Sequence, residues 1–323
     1  MKKSSIIKKI QGPIFSIITP FKKNENIDYV NLSKYIKYMY KRGAKCFYVM
    51  VYNSRLSLLD ENEIIKLNLF VINVVKKIDK ENIVICAEPY HTSTRKSIRF
   101  VKLLSKKGAD LVSLIFGEKF YSDKQVFLHF KKISKSVKCN LLLHQQPFEN
   151  GLSSNPATVN YSIKLLKKIS KLKNFVAMKE DAKNVQLTRK ICQNLKKDLV
   201  IITSGGGKRQ WLKAAKYGCQ SWLSGISSLD PKIAVDFYNL YKSNKKKEFL
   251  KIIEKFEDPF FNIKDKYGWH LSIKAMLEFK NFFLRIERLP LLQLDNIEFK
   301  KIKKTYSTLK RNSKLYFKSQ YIV

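Results

Sequence analysis

Acidic residues are scarce in this sequence: 26 Asp and Glu stand against 64 Lys and Arg, a formal net charge of +38 at pH 7. Such an excess raises the question of a nucleic-acid partner. The distribution argues against one. Lysines such as Lys34 and Lys37, Lys102 and Lys106, Lys164 and Lys167, and Lys245 to Lys247 are spread along the chain on the polar faces of predicted helices. No RRM, KH, helix-turn-helix or zinc-finger pattern accompanies them. We read a solvated surface and expect no nucleic acid, although a basic field helps to attract an anionic substrate.

Other absences narrow the field further. The five cysteines (Cys46, Cys86, Cys139, Cys192 and Cys219) form no C-x-x-C pair, and the first three sit in or beside apolar runs, so reduced, buried thiols are expected. No His/Asp/Glu cluster has metal-ligand spacing, and His129 and His270 read as ordinary helix residues. Neither a metal nor a cofactor is expected. No G-x-G-x-x-G follows the first strand, which disfavours a dinucleotide fold. No apolar run approaches the roughly 20 residues of a membrane span. The basic segment Met1 to Ile10 lacks the apolar stretch of a signal peptide. A soluble, cytoplasmic protein with no membrane partner is the expectation.

What is present is a core and a rhythm. Hydrophobic residues make up 45% of the 323 and aromatics 12%. Eight apolar, β-branched runs predict strands: Pro13–Thr19, Cys46–Val51, Ile83–Ala87, Leu111–Phe116, Cys139–His144, Phe175–Lys179, Leu199–Ser204 and Ser221–Ser224. Amphipathic stretches alternate with them: Tyr29–Arg42, Glu61–Lys77, Thr94–Lys107, Lys124–Ser136, Thr158–Ser170, Val185–Leu195 and Lys208–Tyr217. Gly43, Gly108 and Gly218 stand where αL caps would end helices before strands. This order predicts an α/β protein, a (β/α)₈ TIM barrel over residues 12–230. Residues 231–323 are expected to form a C-terminal helical extension packed on it, with helices at Pro231–Ser243, Lys246–Phe256, about Leu271 to Phe283, and Ile297–Leu309.

In such barrels the chemistry sits at the C-terminal ends of the strands. The polar residues there are Thr19; Asn53 and Arg55; Glu88 and His91; Glu118 and Lys119; His144, Gln145 and Gln146; Lys179, Glu180 and Asp181; Ser204; Ser224 and Ser227. Lys179 ends an otherwise apolar strand, where desolvation disfavours an ammonium and suits carbonyl attack. An ion pair with Glu88, Glu118 or Asp181 is the structural alternative. His144 ends the neighbouring strand and suits proton transfer. Gly205, Gly206 and Gly207 precede a helix whose N–H groups, with Lys208, suit a carboxylate or phosphate.

These residues carry a pattern that resembles the dihydrodipicolinate synthase / N-acetylneuraminate lyase family, from about residue 12 to 292. "IITPF" (Ile17–Phe21) resembles the family's opening strand, and "LSLLDENE" (Leu56–Glu63) the segment after its GTTGE loop. "FVAMKED" (Phe175–Asp181) is similar to its G-x-K-E/D segment, which implies that Lys179 is the Schiff-base lysine. "TSGGG" (Thr203–Gly207) resembles its S-G-D-D turn, "YGCQSWLSGISSLDP" (Tyr217–Pro231) its G-x-x-G-x-I-S segment, and "ERLPL" (Glu287–Leu291) its closing R-x-P-L.

The departures matter as much. Val51-Tyr52-Asn53-Ser54-Arg55 replaces GTTGE, so Tyr52 and Asn53 stand where the family has the threonines of its carboxylate site and proton relay. The family's catalytic tyrosine falls on His144, and its dicarboxylate-binding arginine near Glu149. These changes argue against the lysine-biosynthetic synthase itself. The resemblance implies a class I lyase, aldolase or dehydratase, acting on a hydroxylated, sugar-derived 2-oxo acid. Lys179 and His144 would be catalytic, and Tyr52, Asn53, Arg55, Glu88, Gln145, Ser204, Gly205, Gly206 and Ser224 would bind substrate. It also implies a homodimer or homotetramer. A non-catalytic ligand-binding or regulatory barrel from the same family is the alternative.

Overall fold

The computed structural model describes residues 3–89, 93–116, 121–145, 161–181, 184–223 and 225–322. Eight parallel strands follow one another around a closed barrel in chain order. They are β1 (Gly12–Ser16), β2 (Cys46–Tyr48), β3 (Ile83–Ala87), β4 (Leu111–Ile115), β5 (Asn140–Gln145), β6 (Phe175–Glu180), β7 (Val200–Thr203) and β8 (Ser221–Leu223). β8 pairs back onto β1 through Gly12↔Ser221 and Ile14↔Leu223, which closes the sheet. The strands lack polar alternation because both faces are covered. In β3, Ile83, Val84, Ile85, Cys86 and Ala87 are all buried.

A short helix α1 (Lys3–Lys9) precedes the barrel. After each of the first seven strands comes a helix: α2 (Tyr29–Lys41), α3 (Glu61–Ile78), α4 (Thr94–Lys106), α5 (Asp123–Ser136), α6 (Ile163–Ser170), α7 (Val185–Leu195) and α8 (Gly207–Ala215). Their starts are written in the sequence. Asp60 and Glu63 cap α3 reciprocally, as Ser122 and Gln125 cap α5. Gly43, Gly108 and Gly218 have φ of +97°, +104° and +101°, the left-handed turn that ends a helix. The predicted strands Pro13–Thr19 and Cys46–Val51 run past the paired segments, because their last residues already curve into the loops at the mouth.

Beyond β8 the chain continues as α9 (Ile226–Leu229), α10 (Lys232–Lys242), α11 (Lys246–Ile252), a π-helical turn (Ile253–Glu257), α12 (Asp258–Tyr267), α13 (Trp269–Phe279) and α14 (Asn296–Phe317). No helix is predicted over the residues of α12, where Pro259 stands in the first turn, a position that tolerates proline. Trp211 of α8 and Trp222 of β8 lie 4.4 Å apart between centroids and pack on Phe237 of α10, so these aromatics are core. All five cysteines are buried and free. Among the described residues no helix is long and apolar enough to cross a membrane.

Candidate active site

Alternation along the strands decides which side chains meet. Ile115, His144, Lys179 and Ile202 pair in register across β4 to β7 and form one row around the barrel. The next residue on β6, Glu180, points outward, where Thr188 of α7 donates to its Oε2 at 2.7 Å. Lys179 therefore faces the lumen. Its Nζ donates to Asp181 Oδ2 at 2.7 Å and shares a hydrogen bond with His144 Nε2 at 3.0 Å. The His144 and Asp181 atoms are 3.9 Å apart, and all three side chains are buried. Below them Tyr48 of β2 donates to Ser113 of β4 at 2.7 Å across the lumen.

The electrostatics of this trio are lopsided. Burial, then the nearby Lys179 charge, push His144 down to about 4 against the pull of Asp181, so the imidazole is neutral at pH 7. Burial pushes the Asp181 carboxyl up, but the Lys179 charge, the nearby His144 and the hydrogen bond from Lys179 outweigh it and hold Asp181 ionised, below the usual carboxylate range. The sequence presents Asp181 only as an ion-pair option; its geometry makes it a member of the site.

The loop after β2 is stitched to the end of β1. Ser54 Oγ donates to Ile17 O at 2.7 Å, Thr19 Oγ1 to Ser54 O at 2.6 Å, and Asn53 Nδ2 to Ser16 Oγ at 2.6 Å. Asn53, Ser204 and Gly205 share the wall of a cavity of about 10 Å³ with Leu223 and Trp269. That is room for roughly one water. Tyr52 is half-buried in the same loop. Arg55 has a left-handed backbone (φ 51°), and its charge acts on His270 and Lys274 of α13. Ser224 lies outside the described residues, as do His91, Glu118, Lys119, Gln146 and Glu149.

Two residues expected at the substrate face away from it. Ala87 pairs with Ser113, on the lumen side, so Glu88 turns outward; its Oε1 accepts from Ile115 N at 3.3 Å, and Ser97 of α4 lies beside it. Gln145 follows His144 and pairs with the outward Glu180, so it too faces the helix layer. Both corrections have one cause, the two-residue period of a strand. Burial pushes Glu88 up to about 8, against the nearby Ser97 hydroxyl and the hydrogen bond from Ile115 N. The folded protein thus keeps a proton that the unfolded chain releases, and stability falls as pH rises between about 4.5 and 8. Glu88→Gln should lose less stability than wild type between about pH 5 and about pH 9 in urea melts. Equal losses would mean that Glu88 is not held as a neutral acid.

The glycine run is occupied from within. Glu257, from the π-helical turn, accepts from Lys208 N at 2.6 Å and from Lys208 Nζ at 3.0 Å, with both side chains buried. A Cβ on Gly207 would stand 2.5 Å from Glu257 Oε1, and φ there is +66°. Gly206 N donates to Gln210 Oε1 at 2.7 Å. The anion at the start of α8 is therefore the protein's own carboxylate, not a ligand's.

The sequence does not single out a second buried cluster. His270 Nε2 lies 2.7 Å and Lys274 Nζ 2.9 Å from Glu287 Oε1, and Lys274 also donates to Ile286 O at 2.6 Å. Burial takes His270 down to about 4 and Lys274 to about 8, in both cases against Glu287. The one signal was the i, i+4 spacing of His270 and Lys274 on one helix face. Among the described residues no group of three or more His, Cys, Asp or Glu is placed to hold a metal ion.

A closed barrel with a buried lysine at the mouth end of β6 has the form of a class I aldolase barrel. The profile of the Dihydrodipicolinate synthetase family matches residues 9–309, and the chain belongs to that family, one of Schiff-base, class I aldolase-type lyases. It is 25% identical over 311 residues to a 4-hydroxy-tetrahydrodipicolinate synthase of Karelsulcia muelleri (strain GWSS), covering 94% of this chain and 99% of that one. It is 24% identical over 307 residues to the synthase of the same name from Clostridium novyi (strain NT), covering 94% and 98%. The solved structure of the 4-hydroxy-tetrahydrodipicolinate synthase from Methylacidiphilum fumariolicum SolV superposes with a TM-score of 0.81 at 23% identity, covering 95% and 98%. Dihydrodipicolinate synthase from Bacillus clausii gives 0.81 at 18%, covering 94% and 99%. At these identities the structural likeness is one of fold.

Proposed function

We propose that this chain is a Schiff-base lyase acting on a hydroxylated 2-oxo acid through Lys179. The observation that carries the reading is the contact of Lys179 Nζ with His144 Nε2 at 3.0 Å, at the mouth end of neighbouring strands. The amine condenses with the 2-oxo group, and the protonated imine then serves as electron sink while a carbon–carbon or carbon–oxygen bond beyond it breaks. His144, neutral and within reach of the nitrogen, moves the protons that condensation releases. Asn53 and Ser204 border the small cavity beside the mouth and position the substrate, and Arg55 supplies positive charge to the same loop.

A second reading rests on the relatives. Those above carry the name 4-hydroxy-tetrahydrodipicolinate synthase and align over nearly the whole chain. The loop Val51–Arg55 and His144 favour the first reading, since a site that loses its carboxylate donors leaves that carboxylate poorly paired. Borohydride trapping with pyruvate and with longer hydroxylated 2-oxo acids, read by intact mass and peptide mapping, tests the shared step. Turnover of the trapped compounds, beside an assay for 4-hydroxy-tetrahydrodipicolinate, then separates the readings. Absence of any adduct on Lys179 would leave a ligand-binding barrel.

A further inference from the structure

We infer that Asp181 is the counter-ion of the Lys179 nitrogen throughout imine formation, while His144 is the route by which protons leave that nitrogen; this rests on the Schiff-base reading above. Asp181 Oδ2 is 2.7 Å from Nζ and His144 Nε2 is 3.0 Å from it, so two different groups hold the same nitrogen.

The proton balance assigns each a separate task. When an ammonium condenses with a 2-oxo acid, the C2–N bond forms and the C2–O bond breaks. Two of the three protons on nitrogen leave with the oxygen as water, and the third stays on the iminium. The nitrogen therefore bears one positive charge at the start and again at the end. A fixed carboxylate at hydrogen-bond distance faces that charge in both states and need not gain or lose a proton. Asp181 answers this description, being buried, ionised and in the same lumen-facing alternation as Lys179.

The two departing protons need a different group, one that accepts and then releases. The neutral imidazole of His144 takes a proton from nitrogen and passes it to the substrate oxygen, once to form the carbinolamine and once to expel water. While it holds a proton it is an imidazolium, and Asp181 Oδ2 lies 3.9 Å from Nε2, close enough to favour that transient charge. Among the described residues Tyr48 of β2 also senses the charge of Asp181. Burial raises its phenol well above the ordinary tyrosine range, so it stays protonated on Ser113 and takes no part in the titration.

If Asp181 paired only with the free ammonium, the alkaline limb of trapping, where the iminium loses its proton, would not depend on it. We would measure the rate and final extent of borohydride-trapped adduct with pyruvate from about pH 5 to about pH 10, in wild type, Asp181→Asn and Asp181→Glu. Asp181→Asn should cut the trapped fraction at neutral pH at least about tenfold and move the alkaline midpoint of trapping, where the iminium loses its proton, down by about one to three units. Asp181→Glu, which keeps the charge, should keep the wild-type midpoint with slower trapping. If Asp181→Asn does not give a native thermal transition, Asp181→Ser replaces it with the same expectation. A variant without the carboxylate that traps as much adduct at the same midpoint overturns the role of Asp181 and leaves the Schiff-base reading intact. A wild-type protein that forms no adduct overturns that reading, and this one with it.

Discussion

Lys179→Arg should fold as wild type does and form no adduct with any 2-oxo acid, and whatever lyase turnover the wild type shows should fall by at least ~10³-fold. Arginine is the informative replacement. It keeps a cation beside Asp181, which lies 2.7 Å from the lysine nitrogen, and so avoids leaving a buried carboxylate without a counter-charge. What it removes is the nucleophile, because a guanidinium does not give up its proton to attack a carbonyl. Thermal melts of both proteins and peptide mapping after borohydride would decide the matter. Native melting with no adduct places the chemistry on Lys179. An adduct that persists in the variant would move it to another lysine, and this chain has many.

Glu257→Ala should be among the most damaging single changes outside the site, costing about 3–5 kcal/mol. The carboxylate receives both the backbone N–H and the ammonium of Lys208 in a place that water does not reach. Its removal leaves a buried ammonium at a helix start that no longer has that carboxylate facing it. For a chain of this size the melting temperature should drop by roughly 5–10 °C. Asp258→Ala is the control. Asp258 also pairs with a cation of α8, Arg209, at 2.6 Å, but the two side chains are 42% and 50% exposed. Water and salt already screen such a pair, and its loss should cost less than about 1 kcal/mol. Equal drops for the two variants would mean that burial is not what makes the Glu257 contact count.

Much of this was legible in the sequence. The apolar runs and the glycines that end the helices specify a barrel, because a parallel sheet buried on both faces needs uninterrupted β-branched strands. Lys179 and His144 were legible for the same reason, as polar residues ending apolar strands. What could not be read was direction. Whether Glu88 and Gln145 face lumen or helices depends on strand register, and a shift of one residue reverses the answer. Glu257 was hidden because a carboxylate about 50 residues from the glycines it serves leaves no local pattern. His270, Lys274 and Glu287 meet across a helix and a loop, and only the first two share a spacing that a sequence can display.

The seam that closes the barrel also sets an order of events. Gly12 finds its partner Ser221 only about 200 residues later, so the first strand leaves the ribosome with one edge open and keeps it open for most of synthesis. Every other strand pair joins neighbours in the chain. Closure of the sheet therefore waits on its most distant strand pairing, and the interval before β8 arrives is when an exposed edge can recruit a second nascent chain.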